Sequence, residues 1–508
     1  MQKRRINRQT WKYVYRTFFD VLMVLMFTWT FSYFWRDRLN MLQPIAFLNK
    51  GNLLIEIIYA LLSFSFIMML GGFGFGRGRK SALLIGQTVA MLMTNVIALG
   101  ITTLVIGRVL FIQYILSQYL MIMLINTAEL FVYTIIVTDL YRRIFPPFEL
   151  LQIYGKYQNT LPHKMNLRDD KYHIDASISY TEELEEVFAC IDRYDAVLIN
   201  DIPSEVKNKI LKYCFDRDKR VYFTPKISDI LVKYSAEVNV VDTPLYLCRN
   251  LGMSLPQRFV KRIIDIVLSS IGIVIASPIM LAVAIAIRLY DHGPAIYKQV
   301  RCTRDQREFK MYKFRSMVQN AEKDGKARLA AENDDRITPV GRFIRATRLD
   351  ELPQLFNIFM GDMSIVGPRP ERPQLIREYQ STIPEFAYRT HVKAGLTGYA
   401  QVYGRYNTTS YDKLKLDIIY VQRQSLALDL QLILMTICVV FMKDSTQGLE
   451  EGATNANVLG ERKDTEETGD GDPAESAQER EDGASETGET EESCGQQEVD
   501  ILATDEEK

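Results

Sequence analysis

Two adjacent carboxylates, Asp350 and Glu351, are the residues of this chain whose types and setting best suit chemistry. Adjacent side chains on a helix diverge by about 100°, which suits two separate tasks better than a shared proton. One carboxylate could attack phosphorus while the other holds Mg2+, a cation that prefers hard oxygen ligands. Because an isolated Asp-Glu pair is more often a solvated helix face, the neighbouring residues must carry the prediction.

Cationic side chains accompany the pair along the chain. Such groups would neutralise the negative charge that develops on a transferring phosphoryl group. Arg369 lies between Pro368 and Pro370, which fix φ and limit the movement of a loop that could clamp a phosphate. Singly, each signal is weak, since Pro-Arg-Pro also marks an ordinary stiff turn. The candidate cations are Lys313, Arg315, Arg345, Arg348 and Arg369.

A broken apolar run, residues 266–287, precedes these motifs and is interrupted by Ser277 and Pro278. Proline removes a helical hydrogen bond, so the run predicts a kinked helix in which Ser277 satisfies a freed backbone group. Length alone would favour a spanning helix, because about 20 apolar residues cross a bilayer. We predict instead a re-entrant helix hairpin, residues 261–290, which keeps the downstream chemistry in the cytoplasm with nucleotide-activated substrates.

Four further apolar segments occupy the first third and predict a four-helix transmembrane bundle that serves as an anchor. Glu129 is the main charged residue within them, and it could be a packed, paired polar side chain. Basic residues at the N-terminus, in the second loop and after the fourth segment place those three regions in the cytoplasm. The segments are 17–35, 53–73, 82–106 and 111–138, and the basic residues are Lys3, Arg4, Arg5, Arg8, Arg77, Arg79, Lys80, Arg142 and Arg143.

Residues 146–250 show a βαβ pattern that predicts a cytoplasmic α/β domain. Strands are expected at 150–154, 196–200 and 221–224, with a helix at 204–215. The first turn contains only Gly155, so it lacks the G-x-G-x-x-G fingerprint and predicts a degenerate Rossmann-like domain without a dinucleotide. A structural spacer and a regulatory or assembly role are both open.

Charge is distributed unevenly although the formal net charge is −1. Residues 446–508 contain 21 acidic and four basic residues and few apolar ones, which predicts a disordered tail. The remaining residues carry 57 basic against 41 acidic side chains, which suits anionic lipid headgroups and phosphates rather than nucleic acid.

The six cysteines and four histidines have no metal-ligand spacing. Residues 426–442 predict an apolar helix, either interfacial or buried.

Residues 258–445 resemble the bacterial sugar-transferase family of monotopic phosphoglycosyl transferases. Two departures from the family pattern are Ala394, where proline is usual, and Cys302-Thr303-Arg304, where a glycine or proline-glycine is usual after Arg301. The motifs that carry the resemblance are Lys261-Arg262 with Asp265, Ser277-Pro278, Gln299-Val300-Arg301, Tyr312-Lys313-Phe314-Arg315-Ser316-Met317, Arg345, Leu349-Asp350-Glu351-Leu352-Pro353, Asn357, Gly361-Asp362-Met363-Ser364, Val366-Gly367-Pro368-Arg369-Pro370-Glu371 and Gly395-Leu396-Thr397-Gly398.

The resemblance implies a mainly α monotopic catalytic domain that moves a sugar-1-phosphate from a UDP-sugar to a polyprenyl phosphate and releases UMP. Asp350 would be the covalent nucleophile and Glu351 would hold Mg2+. The reaction would start exopolysaccharide, capsule or O-antigen type assembly at the bacterial inner membrane. The residues expected to contact phosphate are Lys313, Arg345, Arg369, Arg301 and Arg315.

The predicted domains are 1–145, 146–250, 251–445 and the tail 446–508. Expected partners are a UDP-sugar, polyprenyl phosphate and membrane lipids, but no nucleic acid; homo-oligomers and polysaccharide-assembly partners are open. One alternative function is a transferase that moves the sugar without its phosphate and releases UDP. Another is a membrane assembly or regulatory protein whose catalytic-looking region is inactive. The sequence does not identify the sugar.

Overall fold

The structure is a computed structural model. It describes residues 2–76, 78, 80–155, 161–166, 168, 171–249, 252–318, 334, 336–404 and 408–440. The predicted acidic tail lies outside the described residues, as do Arg77 and Arg79 of the predicted basic loop.

Four long helices fill the N-terminal third and share one apolar core, in which the rings of Phe31 and Tyr59 stack at 4.1 Å. In the described part of the chain, five helices are long and apolar enough to cross a membrane, as expected of a membrane protein. The second of the N-terminal helices ends at Met69, whereas the predicted segment ended at Phe73. It stops early because Gly71 takes a left-handed φ of 68°. The four N-terminal helices are α1 Gln2–Phe34, α2 Asn49–Met69, α3 Lys80–Ile106 and α4 Ile112–Ile144.

Polar side chains between these helices are largely paired. One oxygen of Glu129 accepts a hydrogen bond from Thr30 at 2.7 Å. This contact agrees with the prediction that Glu129 is a packed polar side chain with a partner. Its other oxygen is buried and has no partner among the described residues. Asn126 donates to the Tyr59 hydroxyl at 3.0 Å, and that hydroxyl donates to Asn95.

A mixed α/β part follows, built on a parallel sheet with strand order β2-β1-β3-β4. The predicted strands are present, and the structure adds β2, along which partly buried and exposed residues alternate. Gly155 donates to the Asn200 carbonyl, and a Cβ there would lie 2.0 Å from the Asp201 carbonyl oxygen. The turns after β1 and β3 therefore pack directly on each other. The elements are β1 Phe148–Tyr154, α5 Leu161–Asn166, β2 Tyr172–Ser179, α6 Leu184–Arg193, β3 Ala196–Asn200, α7 Ser204–Asp216, β4 Arg220–Phe223 and α8 Ile227–Lys233.

An exposed antiparallel hairpin, β5 Ala236–Val240 with β6 Thr243–Leu247, leads to the last third of the chain. There the described strands form two small pairs, β7 with β8 antiparallel and β9 with β10 parallel. The elements are α9 Leu255–Asp291, β7 Ile296–Cys302, β8 Glu308–Phe314, α10 Pro339–Ala346, α11 Gln354–Met360, β9 Ser364–Val366, α12 Pro373–Thr382, β10 Gly395–Thr397, α13 Tyr399–Tyr403, α14 Ser410–Arg423 and α15 Leu426–Val440.

The 37-residue helix α9 begins at a capping box in which Ser254 and Gln257 bond each other's backbone. It continues through Pro278 as one helix, and Ser277 donates its hydroxyl to the Val274 carbonyl at 2.8 Å. That carbonyl is the one deprived of its helical partner by the proline, so the serine compensates for it. Apolar side chains such as Ile275, which is 70% exposed, cover the outer face.

The last helix, α15, packs one face against the rest of the protein, while Leu430 on another face is exposed. Leu434 and Cys438 join the apolar core of the N-terminal helices, and Leu428 and Leu432 pack beside β9. The helix therefore connects the last third of the chain to the membrane helices through direct side-chain packing.

Candidate active site

The carboxylate pair lies on a short 3-10 turn, Leu349–Glu351, between α10 and α11. Helix α10 is capped by Thr338, whose hydroxyl accepts a hydrogen bond from the Gly341 amide at 2.9 Å. Residues three apart eclipse in a 3-10 turn, and Leu349 and Leu352 accordingly pack on the same apolar cluster of α9 and α10. This packing fixes the turn and leaves the carboxylates on its other faces.

Two cations hold Glu351. Lys313, at the end of β8, donates to Glu351 Oε1 at 3.0 Å, and Arg369 donates to the same oxygen at 2.8 Å. Burial alone would raise the pKa of Glu351, but Arg369 and Lys313 together hold it well below its ordinary value. Burial lowers the pKa of Lys313, and Glu351 opposes that shift. Glu351 is therefore an anion fixed in one position.

Asp350 is in a different environment from its neighbour. It is half-buried and accepts no hydrogen bond within the described part of the chain. Burial raises its pKa above the ordinary aspartate value, although the positive charge of Lys313 opposes the shift. Paired carboxylates whose surroundings push their pKa values apart are suited to different roles, and here Asp350 has an unengaged side chain.

The other predicted cations are not equally close to the pair. Arg345, in the last turn of α10, acts electrostatically on Asp350. Arg301 instead donates to the Pro370 carbonyl at 3.2 Å, and burial lowers its pKa to about 10. Arg315 pairs with Asp291 at the end of α9, and its Nη1 atom is buried without a partner among the described residues. The structure thus brings Lys313, Arg345 and Arg369 to the pair and places Arg301 and Arg315 against protein groups.

The strand that carries Lys313 is fixed by a buried amide. Asn357 of α11 accepts from the Tyr312 amide at 2.9 Å and donates to the Lys310 carbonyl at 2.8 Å. These are the bonds that a neighbouring strand would make, so Asn357 replaces one along this edge of β8. The position of the Lys313 ammonium follows from that register.

The loop that carries Arg369 depends on close backbone crossing. A Cβ on Gly367 would lie 2.2 Å from the Lys393 carbonyl oxygen, and one on Gly395 would lie 2.1 Å from the Gly367 amide nitrogen. Any side chain at either position would displace the backbone. These two glycines allow the loop after β9 to lie against the start of β10.

Helix α9 is bonded to the elements around the pair through the motif Lys261-Arg262 with Asp265. Lys261 pairs with Asp429 at 2.5 Å, Arg262 donates to two carbonyls at the end of α11, and Asp265 accepts from the Ile365 amide at 3.0 Å. The Tyr420 hydroxyl donates to Asp429 at 2.8 Å. Asp429 therefore interrupts the apolar pattern of α15 because it anchors α9.

The two departures from the family pattern contact each other. The Ala394 amide donates to the Thr303 hydroxyl oxygen at 3.2 Å, and that hydroxyl donates to the Asp362 carbonyl at 2.8 Å. Proline at position 394 would lack this N–H group. The threonine and the alanine together supply a hydrogen bond that the usual residues cannot form.

The residues present fit a magnesium ion only together with substrate oxygens. Among the described residues, no group of three His, Cys, Asp or Glu side chains could hold a metal. Mg2+ commonly binds one or two carboxylates plus substrate phosphates, and a fixed anionic Glu351 beside Asp350 meets that requirement. Five of the six cysteines lie in the described part of the chain, and all five are free thiols.

Sequence reasoning missed a second group of charges, behind the Arg369 loop. Arg389 bonds the Arg369 carbonyl and pairs with Asp417, which is 1% exposed. The available signal was Asp417 on the apolar face of α14, in helical spacing with Leu414 and Val421. Arg389 itself, in a segment of 3-10 turns, had no such signal.

Comparison with known proteins places this site in a family. The family model described as bacterial sugar transferase matches residues 256–443. An Aeromonas hydrophila protein named UDP-N-acetylgalactosamine-undecaprenyl-phosphate N-acetylgalactosaminephosphotransferase is 39% identical over 48% of this chain and 58% of its own length. A Klebsiella pneumoniae UDP-glucose:undecaprenyl-phosphate glucose-1-phosphate transferase is 34% identical over 52% of this chain and 56% of its own.

The chain thus spans little more than half the length of these two relatives. A shorter relative is covered further: a Caulobacter vibrioides UDP-glucose:undecaprenyl-phosphate glucose-1-phosphate transferase is 39% identical over 36% of this chain and 71% of its own length. The match includes the pair, its cations and the helix α9 that supports them. The chain belongs to the bacterial sugar transferase family.

Proposed function

We propose that this protein transfers a sugar-1-phosphate from a UDP-sugar to a polyprenyl phosphate and releases UMP. The observation that carries the proposal is the difference in hydrogen bonding between the two carboxylates. Glu351 is held by Lys313 and Arg369, while the adjacent Asp350 is bonded to nothing in the described part of the chain and is flanked by positive charge. A free carboxylate in a cationic setting is suited to attack phosphorus.

In the proposed reaction, an oxygen of ionised Asp350 attacks the β-phosphorus of the UDP-sugar. The bond from that phosphorus to the bridging oxygen breaks, and UMP leaves with the electron pair. A phosphate oxygen of the lipid then attacks the same phosphorus, the bond to Asp350 breaks, and the carboxylate is regenerated. Lys313, Arg345 and Arg369 would stabilise charge on the phosphoryl oxygens, and Arg301 and Arg315 would support them from positions against the protein.

The proposal includes Mg2+ held by Glu351 and by substrate oxygens, where it would neutralise negative charge on the diphosphate. The protein's own share is to keep the ligand anionic, because Arg369 and Lys313 hold the pKa of Glu351 low despite burial. Titration of Mg2+ against UMP release should give a saturable dependence. Undiminished release in excess EDTA would contradict a metal role.

The names of the relatives support this reaction class. They describe transfer of N-acetylgalactosamine phosphate and of glucose-1-phosphate to undecaprenyl phosphate. The donors differ among the relatives, so we propose a UDP-hexose or UDP-N-acetylhexosamine without choosing one. The reaction would start the assembly of a surface glycan of the exopolysaccharide, capsule or O-antigen type.

We further propose the domain arrangement predicted from the sequence, with residues 1–145 as a four-helix membrane anchor, 146–250 as an α/β domain and 251–445 as the catalytic domain. Helix α9 would enter the inner membrane, turn back at Pro278 and return to the cytoplasmic face. Its exposed apolar face and the basic residues Lys261 and Arg288 near its ends support this arrangement.

Cysteine labelling tests the membrane arrangement. With Cys248 and Cys494 replaced by serine, Glu308→Cys in the catalytic region and Phe215→Cys in the α/β part provide exposed reporters. Both should react with an impermeant maleimide only after the inner face is opened. Reaction of the Glu308→Cys reporter in intact cells, with the Phe215→Cys reporter protected, would instead make α9 a spanning helix.

A nucleotide assay tests the reaction. Protein in detergent is mixed with polyprenyl phosphate and a panel of UDP-sugars, and UMP and UDP are separated. We expect UMP, whereas a transferase that moves the sugar alone would release UDP. Asp350→Asn should abolish release, and Glu205→Gln, an exposed carboxylate of α7, should not change it. Near-normal turnover by Asp350→Asn would exclude Asp350 as the nucleophile.

A further inference from the structure

We infer that Arg389 is a positioning residue, which sets the place of Arg369 through the backbone of the loop. The inference rests on the proposed function, because Arg369 is taken as a phosphate-contacting cation. Arg389 donates from Nη2 to the Arg369 carbonyl oxygen at 2.9 Å. From the other side of the same residue, the Arg369 side chain reaches Glu351 at 2.8 Å. One residue therefore connects Arg389 to the carboxylate pair.

The loop is held at almost every carbonyl oxygen. Lys261 donates to the Val366 carbonyl oxygen at 3.1 Å, and the Tyr420 hydroxyl, which donates to Asp429, lies 3.1 Å from the same oxygen. The Gly395 amide donates to Pro368, Arg301 donates to Pro370, and the Cys302 amide donates to Glu371. In the described part of the chain, the hydrogen bond to the Arg369 carbonyl comes from Arg389. The Arg389 side chain therefore fixes the backbone of Arg369, the proposed phosphate-contacting residue.

Arg389 is in turn held from behind by two carboxylates, of which Asp417 is buried and Glu371 is partly exposed. Its Nη2 atom lies 2.9 Å from Asp417 Oδ2, and its Nη1 atom lies 3.6 Å from Glu371 Oε1. The Arg389 side chain is 8% exposed and that of Asp417 is 1% exposed. Burying an ion pair is costly, and replacing such a pair by apolar side chains is often neutral or stabilising. The pair is therefore better explained by the geometry that it imposes than by stability.

The contacts also show why Arg389 is not itself a reacting group. In the described part of the chain it contacts a backbone oxygen, two carboxylates and the ring of Phe386 at 5.0 Å. None of these contacts reaches Asp350, Glu351 or the side chain of a cation beside them; the backbone oxygen is that of Arg369. The guanidinium places Nη2 within reach of both the loop carbonyl and Asp417, and Nη1 near Glu371; a single ammonium lacks that fork.

Displacement of a positioned group by about 1 Å can cost about 100-fold in rate. We therefore expect Arg389→Met to lower kcat for UMP release by about 10- to 100-fold. Arg389→Lys keeps a charge beside Asp417 and should fold where the methionine variant does not, yet it should still lose about tenfold. Lys207→Met serves as a matched control, because Lys207 is 6% exposed and pairs with Asp229 at 2.7 Å, outside the loop. The control should retain wild-type kcat.

A double-mutant cycle with Arg369→Ala separates positioning from an independent effect. If Arg389 acts only through Arg369, then Arg389→Met, or Arg389→Lys where the methionine variant does not fold, costs nothing further in the Arg369→Ala background. Losses that multiply in the double variant would overturn the inference, as would wild-type kcat in Arg389→Lys.

Hydrogen exchange supplies a readout that does not require activity. Amides of residues 366–372 should exchange faster in Arg389→Lys than in the wild type, while those of α14 should not change. Unchanged exchange in the loop would overturn the positioning role. Failure of the wild type to release UMP from any UDP-sugar would instead refute the proposed function and leave the exchange result to be judged separately.

Discussion

Replacement of Glu351 by glutamine removes the negative charge shared by Lys313 and Arg369. An amide oxygen can still accept one hydrogen bond, but it cannot balance two cations. The Lys313 side chain is 19% exposed and that of Glu351 is 15% exposed, so their pair is largely shielded from water. The Arg369 side chain is 44% exposed, so solvent can replace most of its contribution.

These exposures set the size of the expected effect. Breaking a buried pair by removing one partner costs about 3–5 kcal/mol, and the retained amide acceptor returns about 1 kcal/mol. The exposed Arg369 contact adds less than about 1 kcal/mol. The free energy of unfolding should therefore fall by about 2–5 kcal/mol. For a region of about 190 residues that corresponds to a Tm lower by about 4–20 °C.

The pH dependence follows from the depressed pKa of Glu351, which burial alone would raise but the two cations lower. Such a group stabilises the fold fully above its unfolded pKa of about 4.3, and the contribution is lost as pH falls through the folded pKa. The difference in Tm between wild type and Glu351→Gln should stay constant from pH 7 to about 5 and narrow at lower pH.

Intrinsic fluorescence during heating in detergent measures these differences. Glu205→Gln is the matched control, because the Glu205 side chain is 81% exposed and its pair with Lys209 should contribute less than about 0.5 kcal/mol. A Tm of Glu351→Gln within 1 °C of this control would refute the reasoning, by analogy with the small shifts expected for exposed pairs.

Three further predictions concern the loop, the departures and the nucleophile. Ala394→Pro removes the N–H that bonds Thr303 and should lower the free energy of unfolding by about 1 kcal/mol. In a Thr303→Val background the same substitution should cost nothing, because the hydrogen bond is already absent. Equal losses in both backgrounds, measured by chemical denaturation, would show that this hydrogen bond does not contribute. Gly367→Ala should displace the loop and reduce UMP release by about 10- to 100-fold. Gly78→Ala is the control and should not change it, because no atom lies near a Cβ at that position. Since burial raises the pKa of Asp350 and its ionised form attacks, UMP release should increase with pH through a midpoint above about 3.9; a midpoint at or below that value would count against the assignment.

Features set by local sequence were accessible before the structure. Apolar runs of sufficient length predicted the membrane helices, and the strand 196–200 was predicted at its observed bounds. The cations nearest the pair also followed from motif order, as the contacts of Lys313 and Arg369 with Glu351 show. Helix ends were less accessible, since Gly71 ended α2 through its backbone conformation.

Features set by long-range pairing were not accessible. Lys261 and Asp429 are 168 residues apart, and no spacing rule connects them. Similarly, no signal in the sequence indicated the hydrogen bond that Arg301 donates to the Pro370 carbonyl. The recoverable signal is a carboxylate on the apolar face of a helix, as at Asp265, Asp417 and Asp429, because burial there requires a partner.

A covalent adduct on Asp350 is the most direct test of the proposed chemistry. The protein is mixed with UDP-sugar and Mg2+ in the absence of lipid, quenched, digested and analysed by tandem mass spectrometry. We expect a phosphosugar on the peptide that contains Asp350, close to one UMP per protein molecule, and neither in Asp350→Asn. A protein that turns over with lipid present, yet forms no adduct and releases no UMP without it, would contradict the covalent mechanism.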